Sequence, residues 1–175
     1  LADVNSTLAA PNEITVTTDM EGYEVEYKDG KYIVVANKVE LVRDGESQGK
    51  FATIQAAIDA AQANDVIVLL KDITENVTIT KDLTIDGKAE GATANSKYTG
   101  TMTVNAKLNV TVQDIDFDKG CINDPGDAHG YLTIKNCNFD GVDKSIGYAV
   151  TVRGGDKLTI ENSTAKSYST GMLYI

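Results

Sequence analysis

Apolar and polar positions alternate with period two through most of this 175-residue chain, and one short phrase returns four times. Leu83-Thr84-Ile85-Asp86-Gly87, Val110-Thr111-Val112-Gln113-Asp114, Leu132-Thr133-Ile134-Lys135-Asn136 and Leu158-Thr159-Ile160-Glu161-Asn162 each run apolar, Thr, apolar, polar, then Gly, Asp or Asn. Their starts lie 22 to 27 residues apart. Alternation predicts strands, and a strand unit recurring every ~20–50 residues marks a solenoid.

The flanking pattern fills in the rest of each coil. Met102/Val104 go with Val110/Val112 and Ile115/Phe117. Ile122 goes with Leu132/Ile134 and Cys137/Phe139, and Val150/Val152 with Leu158/Ile160 and Ser163/Ala165. Three short strands per repeat fit one coil of a three-sided parallel β-helix. Val66 to Leu70 is a continuous apolar run suited to a strand buried on both faces. Residues 88–100 carry no period and are expected to protrude as a loop.

The last position of each phrase is restricted to Gly87, Asp114, Asn136 and Asn162, residue types that tolerate a left-handed backbone. They are expected to turn a corner between two strands of one coil. Stacking would bring Asp114, Asn136 and Asn162 into a hydrogen-bonding column.

Before the repeats, residues 1–12 read as a linker or arm, and residues 13–45 as a small β segment. There Tyr23, Val25 and Tyr27 alternate with Glu24, Glu26 and Lys28, and Asp29-Gly30 supplies a strong hairpin signal. Residues 51–63 give the one helical pattern, with Ile54, Ala57, Ile58 and Ala61 on one face, Thr53 as N-cap and Asn64-Asp65 as its end. Residues 46–175 thus form the solenoid, with helix 51–63 expected to cover its first coil. The Met172-Leu173-Tyr174-Ile175 run stops in mid-strand. It suggests a fragment of a longer chain, or an open last coil that self-associates through its uncovered edge. Leu1-Ala2-Asp3 looks like a mature or trimmed start, with no signal peptide in view.

A net charge of −10 argues against nucleic acid as partner, since phosphate binding rests on Lys and Arg. No apolar run approaches the roughly 18 residues of a membrane span. Cys121 and Cys137 are close enough in sequence to pair, but Cys137 beside Phe139 reads as a small core residue. Asn76, Asn109 and Asn162 begin Asn-X-Thr matches that carry little weight as glycosylation sites.

The helix Phe51-Ala-Thr-Ile-Gln-Ala-Ala-Ile-Asp-Ala-Ala-Gln62, then Asp65–Asp72, Glu75-Asn-Val-Thr-Ile79 and Leu83–Gly87, resembles the opening of the pectate lyase-like superfamily. In pectin methylesterases a similar T-I-Q-x-A-I helix precedes an E-N-V-x-I strand. The arrangement is also similar to repeat regions of large secreted surface proteins of Gram-positive gut bacteria. The resemblance implies an all-β fold, a right-handed parallel β-helix with an N-terminal capping helix. It also implies an extracellular or cell-surface location on a bacterium.

Function is expected off the repeat. The favoured expectation is a non-catalytic module acting as spacer, adhesin or binder of a polysaccharide or host glycan. The alternative is a pectate lyase-like or pectin methylesterase-like enzyme with an incomplete site. A β-sandwich surface module with coincidental repeats is the third. No catalytic residue transfers from the resemblance. Arg153, Tyr131, Tyr148 and Tyr168 are the candidate glycan contacts, with Tyr98 also at a turn or edge. In Asn123-Asp124-Pro125-Gly126-Asp127-Ala128-His129, Asp124 and Asp127 are candidate Ca²⁺ ligands and His129 a candidate acid or base; an ordinary solvated turn is the competing reading. No other cofactor is expected.

Overall fold

The computed structural model describes residues 22–125, 130–142, 145–153 and 157–175. The first hairpin pairs β1 (Tyr23–Lys28) with β2 (Lys31–Ala36). Both turn residues, Asp29 and Gly30, are left-handed at φ 50° and 78°, the conformation a two-residue hairpin turn demands. Next come β3 (Val39–Arg43) and β4 (Glu46–Phe51), then helix α1 (Ile54–Ala60). Strand β3 runs antiparallel to β5 (Asp65–Leu69), so this second hairpin extends the first face of the solenoid. A division at residue 45/46 falls inside the β3–β4 turn.

The remaining strands are β6 (Ile73–Thr74), β7 (Val77–Ile79), β8 (Leu83–Asp86), β9 (Ser96–Val104), β10 (Asn109–Gln113) and β11 (Ile115–Asp124). They are followed by β12 (Tyr131–Lys135), β13 (Asn138–Asp140), β14 (Tyr148–Val152), β15 (Lys157–Glu161), β16 (Thr164–Lys166) and β17 (Gly171–Tyr174). Strands β5, β8, β10, β12 and β15 stack in parallel to form one face. Among the described residues the result is an all-β solenoid of about four turns with one short helix.

Register puts the repeat phrases on top of one another. Leu83, Val110, Leu132 and Leu158 form one inward column, and Ile67, Ile85, Val112, Ile134 and Ile160 another. On another side Tyr98 meets Phe117 edge to face (ring centroids 5.5 Å), Phe117 stacks on Phe139 (4.3 Å), and Ala165 follows in register. Burying such columns from every coil is what holds a solenoid together, because no single coil can bury its own apolar face.

The expected corner column is present. Asp114, Asn136 and Asn162 have φ of 54°, 51° and 47°. Asn136 Nδ2 donates to Asp114 Oδ1 at 3.2 Å, and Asn162 Nδ2 to Asn136 Oδ1 at 3.4 Å. Gly87 departs from the expectation, since its φ lies outside the left-handed range. Glycine is required there by space: a Cβ would stand 2.1 Å from the Asp114 carbonyl oxygen.

Two further expectations are corrected. The helix is shorter than 51–63, because Ala61 is already extended (ψ 157°) while its N–H closes the last turn on Ala57 and Ile58. The loop after Gly87 ends by Ser96 rather than at residue 100, because Tyr98 is drawn into the core and β9 pairs with β11. In the second and third coils two of the three sides are a single bent strand. Gly100 (φ 129°) makes the bend in β9, where a Cβ would meet the Glu75 carbonyl at 2.1 Å.

Helix α1 is held at both ends by the first coil. Thr53 Oγ1 accepts from Ala56 N–H, and the Glu75 carboxylate accepts from Ile54 and Gln55 N–H. Lys81 Nζ donates to the carbonyls of Ile58, Asp59 and Ala61 at 2.7–2.9 Å. Gln55 also pairs with the backbone of Thr78, so the helix covers part of the β7 edge. Asp65 is buried at the start of β5 and takes two 2.8 Å hydrogen bonds from Arg43 and one from Gln62 N–H.

Candidate functional site

Because strand side chains alternate, the residues between the inward columns form outward ladders. On the β5–β15 face, Thr84, Thr111, Thr133 and Thr159 stand in one row, one per coil. Beside them Asn109, Tyr131 and Lys157 form a second row along the same edge. Asn64, Thr84, Asn109, Thr111, Tyr131 and Thr133 line an open depression of about 230 Å³ between these rows.

Tyr131 is 52% exposed, the most open of the three tyrosines among the candidate glycan contacts. Lys157 Nζ sits 5.2 Å from its ring centroid and 3.5 Å from its hydroxyl, so the ring is steadied from one side. Asn109 is fixed by Asp82, whose carboxylate accepts from both its backbone N–H and its Nδ2. These groups offer hydroxyls, an amide and an aromatic face without a buried charge.

Arg153 and Tyr148 meet on a different side, and the group that joins them is Tyr174. Arg153 lies over the Tyr174 ring at 5.2 Å, and the rings of Tyr148 and Tyr174 are 5.3 Å apart. Tyr174 was missed at the sequence level; alternation along Gly171–Tyr174 was the available signal. Tyr131 is not part of this cluster.

Tyr168 is placed inside the solenoid rather than at a surface. It is 9% exposed, its hydroxyl donates to the Gly120 carbonyl at 2.6 Å, and burial raises its phenol pKa above the ordinary range. Asp124 is also buried, at 3% exposure, on the inward side of β11 and in register with Val152. Asp127 and His129 lie outside the described residues. Among the described residues no group of three or more His, Cys, Asp and Glu is arranged to hold a metal ion.

On the second side, Asp116 Oδ1 accepts from Asn95 and Asn138, and Thr164 Oγ1 donates to Asn138 Oδ1. Asp140 is paired with Lys166 at 3.0 Å; the Val142 N–H and that lysine hold its pKa below the usual carboxylate value. These outward polar groups are thus committed to one another. Both cysteines are free thiols. Cys137 is buried, which pushes its pKa up to about 12, whereas Cys121 is partly exposed beside Thr101. No helix is long and apolar enough to cross a membrane among the described residues.

Compared with family models, with curated proteins and with solved structures, the chain shows no match.

Proposed function

We propose that this chain is a non-catalytic module of a bacterial secreted or surface protein, and that it binds an extended glycan along the outside of its solenoid. Its fold is a right-handed parallel β-helix of the pectate lyase-like kind, with α1 as the cap of the first coil and the β1–β2 hairpin as a small preceding segment. The observation that carries the reading lies on the repeat itself, against the expectation of a site off it: the row Thr84, Thr111, Thr133 and Thr159 beside the exposed Tyr131 ring. Hydroxyls recur there at the strand spacing of roughly 4.8 Å, a repeat similar in length to one sugar of an extended polysaccharide. An aromatic ring with a wet hydroxyl suits an amphipathic sugar face.

The openness of the depression supports binding over turnover. Catalysis draws on groups held in a water-excluded site, where electrostatic stabilisation is largest, and the Thr row faces open solvent. The Arg153–Tyr174–Tyr148 cluster is a second contact for the same kind of ligand.

The test is affinity electrophoresis and calorimetry against a panel of neutral and acidic polysaccharides, with product analysis on the same mixtures. The expected result is binding without release of products, weakened by Tyr131→Ala. Release of unsaturated or de-esterified products, or no affinity for any glycan, overturns the reading.

A further inference from the structure

The Thr row is flanked by two carboxylates at its first threonine. Asp82 and Asp86 stand two residues before and two residues after Thr84, and both are half-buried. Asp82 holds Asn109, which begins the row Asn109, Tyr131, Lys157 on one flank. Asp86 begins the row Asp86, Gln113, Lys135, Glu161 on the other.

The partners of these carboxylates are neutral. Asp82 accepts from the Asn109 backbone N–H at 2.9 Å and from its Nδ2 at 3.0 Å. Asp86 accepts from Gln113 Nε2 at 2.7 Å and from the Lys88 backbone N–H at 2.8 Å. Such bonds orient a carboxylate without offsetting its charge.

The cations of the same strands are engaged elsewhere. Strands β8, β10, β12 and β15 carry two lysines, Lys135 and Lys157. Lys135 pairs with Glu161 at 3.6 Å, and Lys157 lies over the Tyr131 ring. Lys88 and Lys107 lie at corners, off the strands of this face. A uronate chain laid along the row would carry its charge past Asp82 and Asp86, and like charges at short range repel even when solvated. The net charge of −10 adds to that repulsion.

Hydrogen-bonding capacity points the same way. Asn109 Nδ2 and Gln113 Nε2 are turned to carboxylates, so each amide has its oxygen, an acceptor, to offer. Both flanks of the row are therefore rich in acceptors. An ionised carboxylate only accepts, whereas a hydroxyl also donates. Sugar hydroxyls satisfy these flanks and uronate groups do not, while the Thr hydroxyls can rotate to serve either.

Granting the glycan-binding reading of the Thr row, on which this rests, we propose that the face selects a neutral, hydroxyl-rich glycan against a uronate chain, and that Asp82 and Asp86 set the selection.

The test is calorimetry on the full chain with matched pairs of glycans, in chelator so that no divalent cation bridges carboxylates. The pairs are cello-oligosaccharides and the glucuronates made from them by oxidising the primary alcohols, mannan oligosaccharides and oligomannuronates, and carboxyl-reduced polygalacturonate and its parent. In each pair that binds, the neutral member is expected to bind on the order of tenfold tighter at low salt, with the gap narrowing as salt screens the carboxylates. Asp82→Asn and Asp86→Asn together should narrow the low-salt gap by admitting the uronate. Asp86→Asn alone serves if the double variant fails to fold, because it leaves the bonds between Asp82 and Asn109 in place. A uronate bound by the parent as tightly as its neutral counterpart overturns the selection and leaves glycan binding standing. A gap that the Asn variants do not change removes Asp82 and Asp86 as its cause. Failure of every member, neutral and acidic, to bind overturns the glycan-binding reading itself and the selection with it.

Discussion

The carboxylate of Glu75 accepts the backbone N–H of Ile54 at 2.9 Å, so a residue of the first coil caps the start of α1 from 21 positions away. The first N–H groups of any helix have no partner within it. Here Glu75 satisfies two and Thr53 a third, through Ile54, Gln55 and Ala56. Replacing Glu75 by Ala is expected to cost about 1–2 kcal/mol, in the range of lost N-caps. Glu75→Gln should cost less. Chemical denaturation with a constant slope checks both; an unchanged midpoint for Glu75→Ala would remove the helix from the stability of the coil.

At Asn136 two requirements coincide, a φ of 51° and side-chain bonds to Asp114 and Asn162. Asn136→Gly keeps the backbone and loses the bonds, at an expected cost of about 1 kcal/mol. Asn136→Val loses both, and a β-branched residue in the left-handed region adds about 1–3 kcal/mol. Thermal melts should therefore rank the parent above Gly and Gly above Val. Equal losses for Gly and Val would mean that the corner is not left-handed in solution.

This corner was legible in the sequence because left-handed backbone admits few residue types and the repeat shows them at one position. The inward columns were legible because strand alternation is local. The rest depended on contacts between coils. Gly87 has the residue type of the corner for a different reason, the Asp114 carbonyl one coil away. Nothing near Lys81 indicates that it closes the helix 20 or more residues before it. Tyr168 looks like an edge tyrosine by alternation. Its burial is decided by Gly120, 48 residues earlier. The same limit applies to Asp124, whose neighbours in sequence describe a turn while its place in β11 is inward.

Asp65 should make the fold acid-sensitive. The Arg43 hydrogen bonds, helped by Gln62 N–H, hold its pKa below the ordinary value despite burial. A carboxyl whose folded pKa is lower than its unfolded pKa contributes fully above the unfolded value of about 3.9. That contribution is lost as pH falls through the folded value. Melting temperature is expected to drop below about pH 4, with Asp65→Asn less stable at neutral pH and flatter on acidification. A parent and variant with parallel pH profiles would exclude Asp65 as the source.

The two thiols should be separable by alkylation. Cys137 is buried with its pKa pushed up to about 12, and only the thiolate is nucleophilic. Cys121 is the accessible one. Near pH 8, iodoacetamide is expected to label Cys121 in the native protein and both residues in denaturant, as read by peptide mass. Native labelling of Cys137 at a similar rate would place it outside the core.

Tyr168 and Tyr131 should respond in opposite ways to substitution. Tyr131 is mostly exposed on the Thr-row face, so Tyr131→Ala is expected to leave the melting temperature nearly unchanged. Tyr168 donates to the Gly120 carbonyl across a buried bond of 2.6 Å. Tyr168→Phe keeps the ring and leaves that carbonyl unsatisfied, at an expected cost of about 1–3 kcal/mol. Tyr168→Ala also empties the space between β16 and β17, and should cost more. Any loss of glycan affinity on changing Tyr168 should then follow the unfolded fraction and vanish when the folded population is restored at lower temperature. A Tyr168→Phe protein of parental stability but reduced affinity would instead put this ring in the binding surface.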